Sequence, residues 1–510
     1  MAIENQISSC PGARLAEHTD RPATPDADLQ RHAPAGTTLA GGRVPGWGKP
    51  LALAALCLGQ FMLQLDTTIV NVALPSISRS LHASTSGLQW VVDGYILALA
   101  SLLLSSGRIG DRSGHKRVYL VGLGVFALGS GLCAVATSTD ELVGFRALQG
   151  IGAAIELPAT LALLTVAFPD ARERAQAVGI WAGSGGLSLV LGPVLGGLLI
   201  RAFGWRAIFL VNLPVALLAA LLTVTTIRDA RRAAGGRLDL PGQALGIATL
   251  GLLTAAAIEG GRHSFSATLP VALLAGGASA LIAFLFIEHL RPEPMLPLGY
   301  FRTPTYATAN VAGLVMGFVM FSVLFIFALY FQDITGDSAL QGGLSFVPLC
   351  GAFAITGPLI GRLVHRVGHR TPMVAGLALI ALGALLLLRV SAHSGYEQVW
   401  PAFLSIGIGY GLTSTPMAAA VLSAVPAARA GMASATNNTA RQIGGVFGIA
   451  ILGSLLPATT GSPSYAHQFM AGLHHALIAI AICALLAAAL AATRVPGRAV
   501  NAHDLTDGGE

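Results

Sequence analysis

Apolar residues are gathered into fourteen blocks, at 51–74, 88–106, 118–137, 140–166, 175–200, 207–227, 240–259, 268–289, 305–331, 342–360, 372–390, 399–422, 431–456 and 469–493. Each is about 20 residues long, the length a helix needs to cross roughly 30 Å of hydrocarbon at 1.5 Å per residue. The pattern predicts an all-α integral membrane protein that crosses the bilayer fourteen times. Residues 1–49 break the pattern. They are polar, rich in Pro, Ala, Asp and Thr, and lack a continuous apolar stretch, so they predict a disordered tail and not a cleaved signal peptide. Residues 494–510 predict a second tail.

Composition agrees with the pattern. The chain is 54% hydrophobic and only 11% charged, whereas a soluble domain carries roughly 25% charged residues. Its mean hydropathy is +0.70. Glycine, at 62 residues, suits helices whose backbones pack closely in lipid. The net charge of +6 is not gathered with aromatics, so it gives no nucleic-acid reading. Cys10, Cys57, Cys133, Cys350 and Cys483 are scattered without metal-ligand spacing, and read as small core residues rather than a disulfide framework. No metal or cofactor is implied.

The basic residues explain themselves by topology. If the first helix starts in the cytoplasm, inside segments carry Arg108, Arg112, Lys116 and Arg117, then Arg172 and Arg174, then a run from Arg228 to Arg237. The later inside segments continue the series to Arg494 and Arg498, while the outside loops hold only Arg79, Arg201, Arg206, Arg262 and Arg389. This asymmetry obeys the positive-inside rule and predicts both termini in the cytoplasm.

An internal repeat divides the chain. Gly107-Arg108-Ile109-Gly110-Asp111-Arg112-Ser113-Gly114-His115-Lys116 lies between helices 2 and 3, and Gly361-Arg362-Leu363-Val364-His365-Arg366-Val367-Gly368-His369-Arg370 lies between helices 10 and 11. Helices 1–6 (residues 50–227) and 9–14 (residues 291–493) then form two six-helix halves, with helices 7 and 8 (residues 228–290) inserted between them. Paired repeats around a central cavity are the architecture of alternating-access transporters.

With these motifs, residues 51–493 resemble the major facilitator superfamily, in particular its fourteen-helix drug:proton antiporters of the EmrB/QacA type. The helix 2–3 segment is similar to the G-x-L-x-D-R-x-G-x-[RK]-[RK] signature, through Gly107, Asp111, Arg112, Gly114, Lys116 and Arg117. Leu65-Asp66-Thr67-Thr68-Ile69-Val70-Asn71-Val72-Ala73-Leu74-Pro75 resembles L-D-x-T-I-V-N-V-A-L-P, and Arg146-Ala147-Leu148-Gln149-Gly150-Ile151-Gly152 resembles R-x-x-Q-G-x-G. Gly192-Pro193-Val194-Leu195-Gly196-Gly197 resembles the antiporter G-P-x-x-G-G. The resemblance implies the major facilitator fold and proton-coupled efflux of hydrophobic drugs or antibiotics. It also implies a monomer in the inner membrane of a bacterium. The second copy of the loop has His365 in place of the acid, so the gating role carries over to the first copy alone. Uptake of a nutrient or metabolite is the competing direction.

Ionisable groups inside lipid are costly and mark function by default. Asp66 lies roughly 10 Å from the outer end of its block, Arg146 roughly 9 Å and Asp93 roughly 7.5 Å, at 1.5 Å per residue. A carboxylate–guanidinium cluster in the outer half is therefore geometrically open to them. Glu156 follows Arg146 on helix 4, near the midplane and facing about 80° away. A proton-coupled exporter needs a carboxyl whose proton affinity changes between dry and hydrated or paired states. Asp66 and Glu156 are the candidates, with Arg146 as switchable partner; the alternative is a static helix-pairing bridge. Asp93 reads either as a member of the cluster or as an interfacial, solvated acid. Blocks 9–14 contain no Asp or Glu, which confines proton handling to the first half.

Asp111 among basic residues reads as a charge lock on the cytoplasmic side, with Gly107 and Gly114 permitting a tight turn; the alternative is a solvated, topology-setting loop. Helix 5, with Gly192, Pro193, Gly196 and Gly197, reads as a deformable element between the halves or as ordinary small-residue packing. Arg441, beside Asn437, either meets an anionic substrate group or pins carbonyls of neighbouring helices. Asn71, Trp90, Tyr95 and Gln149 read as cavity-lining residues. Neither Lys49 nor Lys116 completes G-x-x-x-x-G-K-[ST], so no nucleotide-cradling loop is present. No nucleophile–base or metal constellation supports a membrane enzyme.

Overall fold

Helices stand at every one of the fourteen predicted blocks. The structure is a computed structural model, and it describes residues 48–227, 239–291, 295–296, 298–426, 429–457 and 464–497. The predicted N-terminal tail up to residue 47, the inside run 228–238 and the predicted C-terminal tail from residue 498 lie outside the described residues.

The helices are α1 (Gly48–Leu81), α2 (Thr85–Ser113), α3 (His115–Val135), α4 (Thr139–Ala167), α5 (Ala171–Phe203), α6 (Ala207–Thr226), α7 (Leu240–His263), α8 (Thr268–Leu290), α9 (Pro304–Leu329), α10 (Val347–Val367), α11 (Arg370–Leu387), α12 (Trp400–Ser423), α13 (Ala430–Gly453) and α14 (Tyr465–Arg494). Among the described residues, 12 helices are long and apolar enough to cross a membrane. The other two, α12 and α13, are long enough at 24 residues each. They are diluted by Ser, Thr and Gly in α12 and by Asn437, Asn438, Arg441 and Gln442 in α13.

Helix α1 is longer than its apolar block because it runs through Pro75 to Leu81. A proline inside a membrane helix is tolerated where neighbours satisfy the freed carbonyl. Asp66 consequently sits near the middle of the helix.

Packing follows the internal repeat. In the first half α4 lies against α2 and α3, and α1 against α5 and α6. In the second, α9 lies against α13 and α14, and α12 against α10 and α11. The inserted α7 and α8 pair with each other, and α7 lies along the seam between α2 and α13. Close approach is set by glycines whose missing side chains leave room for backbone. A Cβ on Gly152 of α4 would run into the backbone of Phe126 on α3, and one on Gly444 of α13 into the Leu314 carbonyl of α9. Gly152→Ala is therefore expected to lower stability by about 1–3 kcal/mol, the range for overpacking, read as the thermal unfolding midpoint of the purified protein. An unchanged midpoint would show that α3 and α4 can separate freely.

The two halves touch at the end of the bundle that carries the α1–α2 turn. There Gln89 of α2 donates to the carbonyls of Ile449 (2.8 Å) and Ala450 (3.1 Å) on α13. Thr85 donates to the Pro457 carbonyl at 2.6 Å, and Gln332, just past α9, donates to the Val72 carbonyl of α1 at 2.9 Å. Gly197 of α5 abuts Leu340, and the Pro193 carbonyl abuts Gly343, both in the short helix Ala339–Ser345.

The repeated segment corrects the sequence reading. It is not a loop: α2 continues to Ser113, and Gly114 alone, at φ 92°, turns the chain into α3. Its copy does the same, with Gly368 at φ 72° between α10 and α11. Gly114 makes the turn as expected, because L side chains avoid that region, but Gly107 sits inside the helix. The side chains of Arg108 and Asp111 lie outside the described residues. Arg112 and Arg117 are exposed. Lys116 donates to the carbonyls of Val224 (3.0 Å) and Ile227 (2.5 Å) at the end of α6. It thereby neutralises a helix C-terminus within its own half.

Candidate functional site

Four helices of the first half meet around one carboxylate. Asp66 of α1 is fully buried, and Arg146 of α4 donates to its Oδ2 at 2.5 Å with 1% of the guanidinium side chain exposed. The other oxygen, Oδ1, accepts from Gln149 Nε2 of α4 at 2.8 Å and from Asn212 Nδ2 of α6 at 3.1 Å. Ser130 of α3 accepts from both amides, at 3.3 Å from Gln149 and 3.0 Å from Asn212, and passes its own hydrogen to the Phe209 carbonyl at 2.8 Å. Every oxygen of the carboxylate is thus used.

The guanidinium is equally well placed. Beyond Asp66, Arg146 donates through Nη1 to Gln149 Oε1 at 2.7 Å and through Nε to the Val91 carbonyl of α2 at 3.1 Å. Its carbon lies 4.3 Å from the centre of the Tyr95 ring, a favourable cation–π arrangement. Helix geometry explains the set. Arg146 and Gln149 are three apart on α4 and share a face. Satisfied charge pairs of this kind survive burial only because additional hydrogen bonds use the remaining lone pairs and protons.

Two neighbouring motifs bear on the same stretch of α1. Gly192 of α5 abuts Thr68 and Gly196 abuts Ile69, while Gly197 faces the second half. The glycines of this motif therefore press α5 onto α1 within a turn of Asp66, and one of them reaches across to the other half.

The remaining candidates stand apart. Asp93 was expected at an interface or in the arginine cluster. It is fully buried, its oxygens have no hydrogen-bond partner among the described residues, and the Arg146 contacts go elsewhere. The correction has a simple cause: α2, which carries Asp93, is packed among α4, α7 and α13. Glu156 is also fully buried without a hydrogen-bond partner among the described residues. Its carboxyl and the Tyr119 hydroxyl converge on Gly59 of α1. Tyr119 donates to the Ala55 carbonyl at 3.0 Å. Glu156 thus forms a second locus, away from the Asp66 network.

Gln149 and Tyr95 are buried members of the Arg146 site rather than cavity lining. Asn71 donates to the Thr67 carbonyl of its own helix at 3.1 Å. Trp90 packs against Ala257, Ile258 and Ala450, on the seam with α7 and α13. Asn437 ties α13 to the Ala309 carbonyl of α9 at 3.1 Å. Arg441 holds Asn438 Oδ1 at 2.5 Å and pins no neighbouring carbonyl among the described residues. Sequence reading missed Ser130 and Asn212. Their signal was present, since each is a polar residue inside an otherwise apolar block. Cys133 and Cys350 are buried and Cys57 and Cys483 half-buried; all four are free.

Residues 56–449 match the sequence profile of the Major Facilitator Superfamily. The chain belongs to this superfamily. Among its members, it is 39% identical over 408 residues to the multidrug resistance protein Stp of Mycobacterium tuberculosis, spanning 80% of this chain and 76% of Stp. It is 37% identical over 425 residues to the methylenomycin A resistance protein of Streptomyces coelicolor, spanning 82% of this chain and 88% of that one. The fold of this major facilitator protein is also that of a solved bacterial homologue of the human lysosomal transporter Spinster, in an inward-facing, unoccupied conformation. That match has a TM-score of 0.64 at 18% identity, covering 88% of this chain and 97% of the other.

Proposed function

We propose that this chain is a proton-coupled exporter of drugs or antibiotics, working by alternating access in the plasma membrane of a bacterium, and not an enzyme. The observation that carries the reading is the buried Asp66–Arg146 pair. It is held at mid-helix on α1 by donors from three other helices, in a chain 33–39% identical to proteins named for drug resistance and export.

A carboxylate and a guanidinium in hydrocarbon are tolerated as a pair and costly apart. A proton arriving at Asp66 removes the negative charge and frees the guanidinium. Arg146 then keeps Gln149, the Val91 carbonyl and the Tyr95 face as its remaining partners. The loss of that bond loosens α1 from α4, and α1 is the helix that also touches α5 and the second half. Asp93 and Glu156, buried and without a cation, are further proton-bearing candidates. The charge distribution of the sequence puts the α2–α3 end in the cytoplasm, with both termini. The contacts between the halves then seal the outer side, leaving the inner side as the one that opens in this state.

The test is drug accumulation in a sensitised bacterial host across an antibiotic and dye panel, with and without a protonophore. Expression should lower accumulation of at least one hydrophobic compound several-fold, and the protonophore should erase the difference. Accumulation insensitive to both expression and protonophore would overturn the proposal.

A further inference from the structure

Two arginines lie inside the helices, and they are treated differently. Arg146 is buried with a carboxylate. Arg441, eleven residues into α13 and so roughly 17 Å from its end at 1.5 Å per residue, is half-exposed and pairs with no acid among the described residues. Along the chain from the point where α9 meets Arg441, the next acid is Asp333, in the turn Tyr330–Ile334 that continues α9, roughly 24 Å away.

The backbone of Arg441 is fixed, because its carbonyl abuts Gly317 of α9. The side chain is half-exposed. It takes Asn438 Oδ1 at 2.5 Å, and α13 packs against α12, the helix that carries Tyr410. Tyr410 in turn stands edge-on to Phe353 of α10, with ring centres 4.9 Å apart. On α13 the stripe Gly431, Ser434, Asn438 and Arg441 stays open, while the flanking positions are covered by α2 and α9. A half-exposed cation and an amide on α13 therefore stand beside a helix pair, α12 and α10, that is joined by an aromatic contact.

An unpaired guanidinium at membrane depth is costly. Its planar fork matches a carboxylate bidentately, and it stacks on flat rings. We propose that Arg441, with Asn438 and the Tyr410–Phe353 pair, forms a recognition subsite for an anionic group, a carboxylate or an equivalent oxyanion, on an aromatic transported molecule. This rests on the export reading above and names the chemistry of its substrate. The negative charge arrives with the cargo, because the second-half acid on that span, Asp333, stands roughly 24 Å away at its far end.

The experiment compares 1-naphthoate with its uncharged counterpart 1-naphthamide. Equilibrium binding is measured on the full-length protein in nanodiscs, and uptake in reconstituted vesicles under an imposed pH gradient. Wild-type protein should prefer the carboxylate. Arg441→Gln should reduce that preference about tenfold or more, as expected for loss of a charge-assisted pair, and Arg441→Lys should recover part of it. Equal binding of the two probes by the wild type, or a preference that survives in Arg441→Gln, would overturn the subsite. A preference that depends on Arg441 without vesicle uptake would uphold the subsite and sink the exporter reading. Uptake of both probes without charge preference would do the reverse.

Discussion

Asp66→Asn is expected to abolish proton-coupled export while leaving the protein in the membrane at close to wild-type abundance. The amide keeps the size and an acceptor oxygen for Arg146, so the side chain still fills its place in the four-helix junction. Arg146 also retains Gln149 at 2.7 Å, the Val91 carbonyl at 3.1 Å and the Tyr95 ring. What the variant loses is a group able to take and release a proton, together with the Oδ1 acceptor of Gln149 and Asn212. Drug resistance of the host should fall to that of cells lacking the protein, and imposed pH gradients should no longer drive uptake in vesicles. Counterflow exchange without a gradient separates loss of coupling from loss of binding, and should persist. Resistance at the wild-type level would remove Asp66 from the coupling role.

Arg146→Met carries the largest expected structural effect. It leaves a fully buried carboxylate with two amide donors, Gln149 and Asn212, and no counter-charge. Removing one partner of a buried pair costs about 3–5 kcal/mol in comparable sites. The unfolding midpoint should drop sharply, and abundance with it. The double variant Asp66→Asn with Arg146→Met removes both charges at once. It should recover most of the midpoint without recovering transport, because coupled neighbours do not add. Strictly additive losses would mean that the two side chains do not act as a unit.

The helices were legible in the sequence because lipid leaves the backbone no alternative: every carbonyl and amide in hydrocarbon must be satisfied within its own segment. Even α12 and α13, the two most diluted by polar residues, were found by length. The Asp66–Arg146 pairing was legible for a related reason, since two opposite charges at similar depth in the first and fourth apolar blocks have few ways to avoid each other. Three things were not legible. Asp93 looked interfacial because its depth was counted along one helix, and burial among packed neighbouring helices is a long-range fact. The segment from Gly107 to Lys116 looked like a loop because its polarity marks the membrane boundary, not the end of the helix. The roles of Ser130 and Asn212 depended on which helices are neighbours, and periodicity says nothing of that.

The bond from Gln332 to the Val72 carbonyl has a consequence for how the machine can be stopped. Val72 lies on the same helix as Asp66, roughly 9 Å further along at 1.5 Å per residue. A single rod therefore carries both the proposed protonation site and one of the contacts between the halves, and a shift of one drags the other. The Gly192 and Gly196 notches of α5 are where this rod is gripped. On the proposed mechanism, a compound wedged into that grip is expected to arrest proton uptake and the seal between the halves together, without competing for the drug.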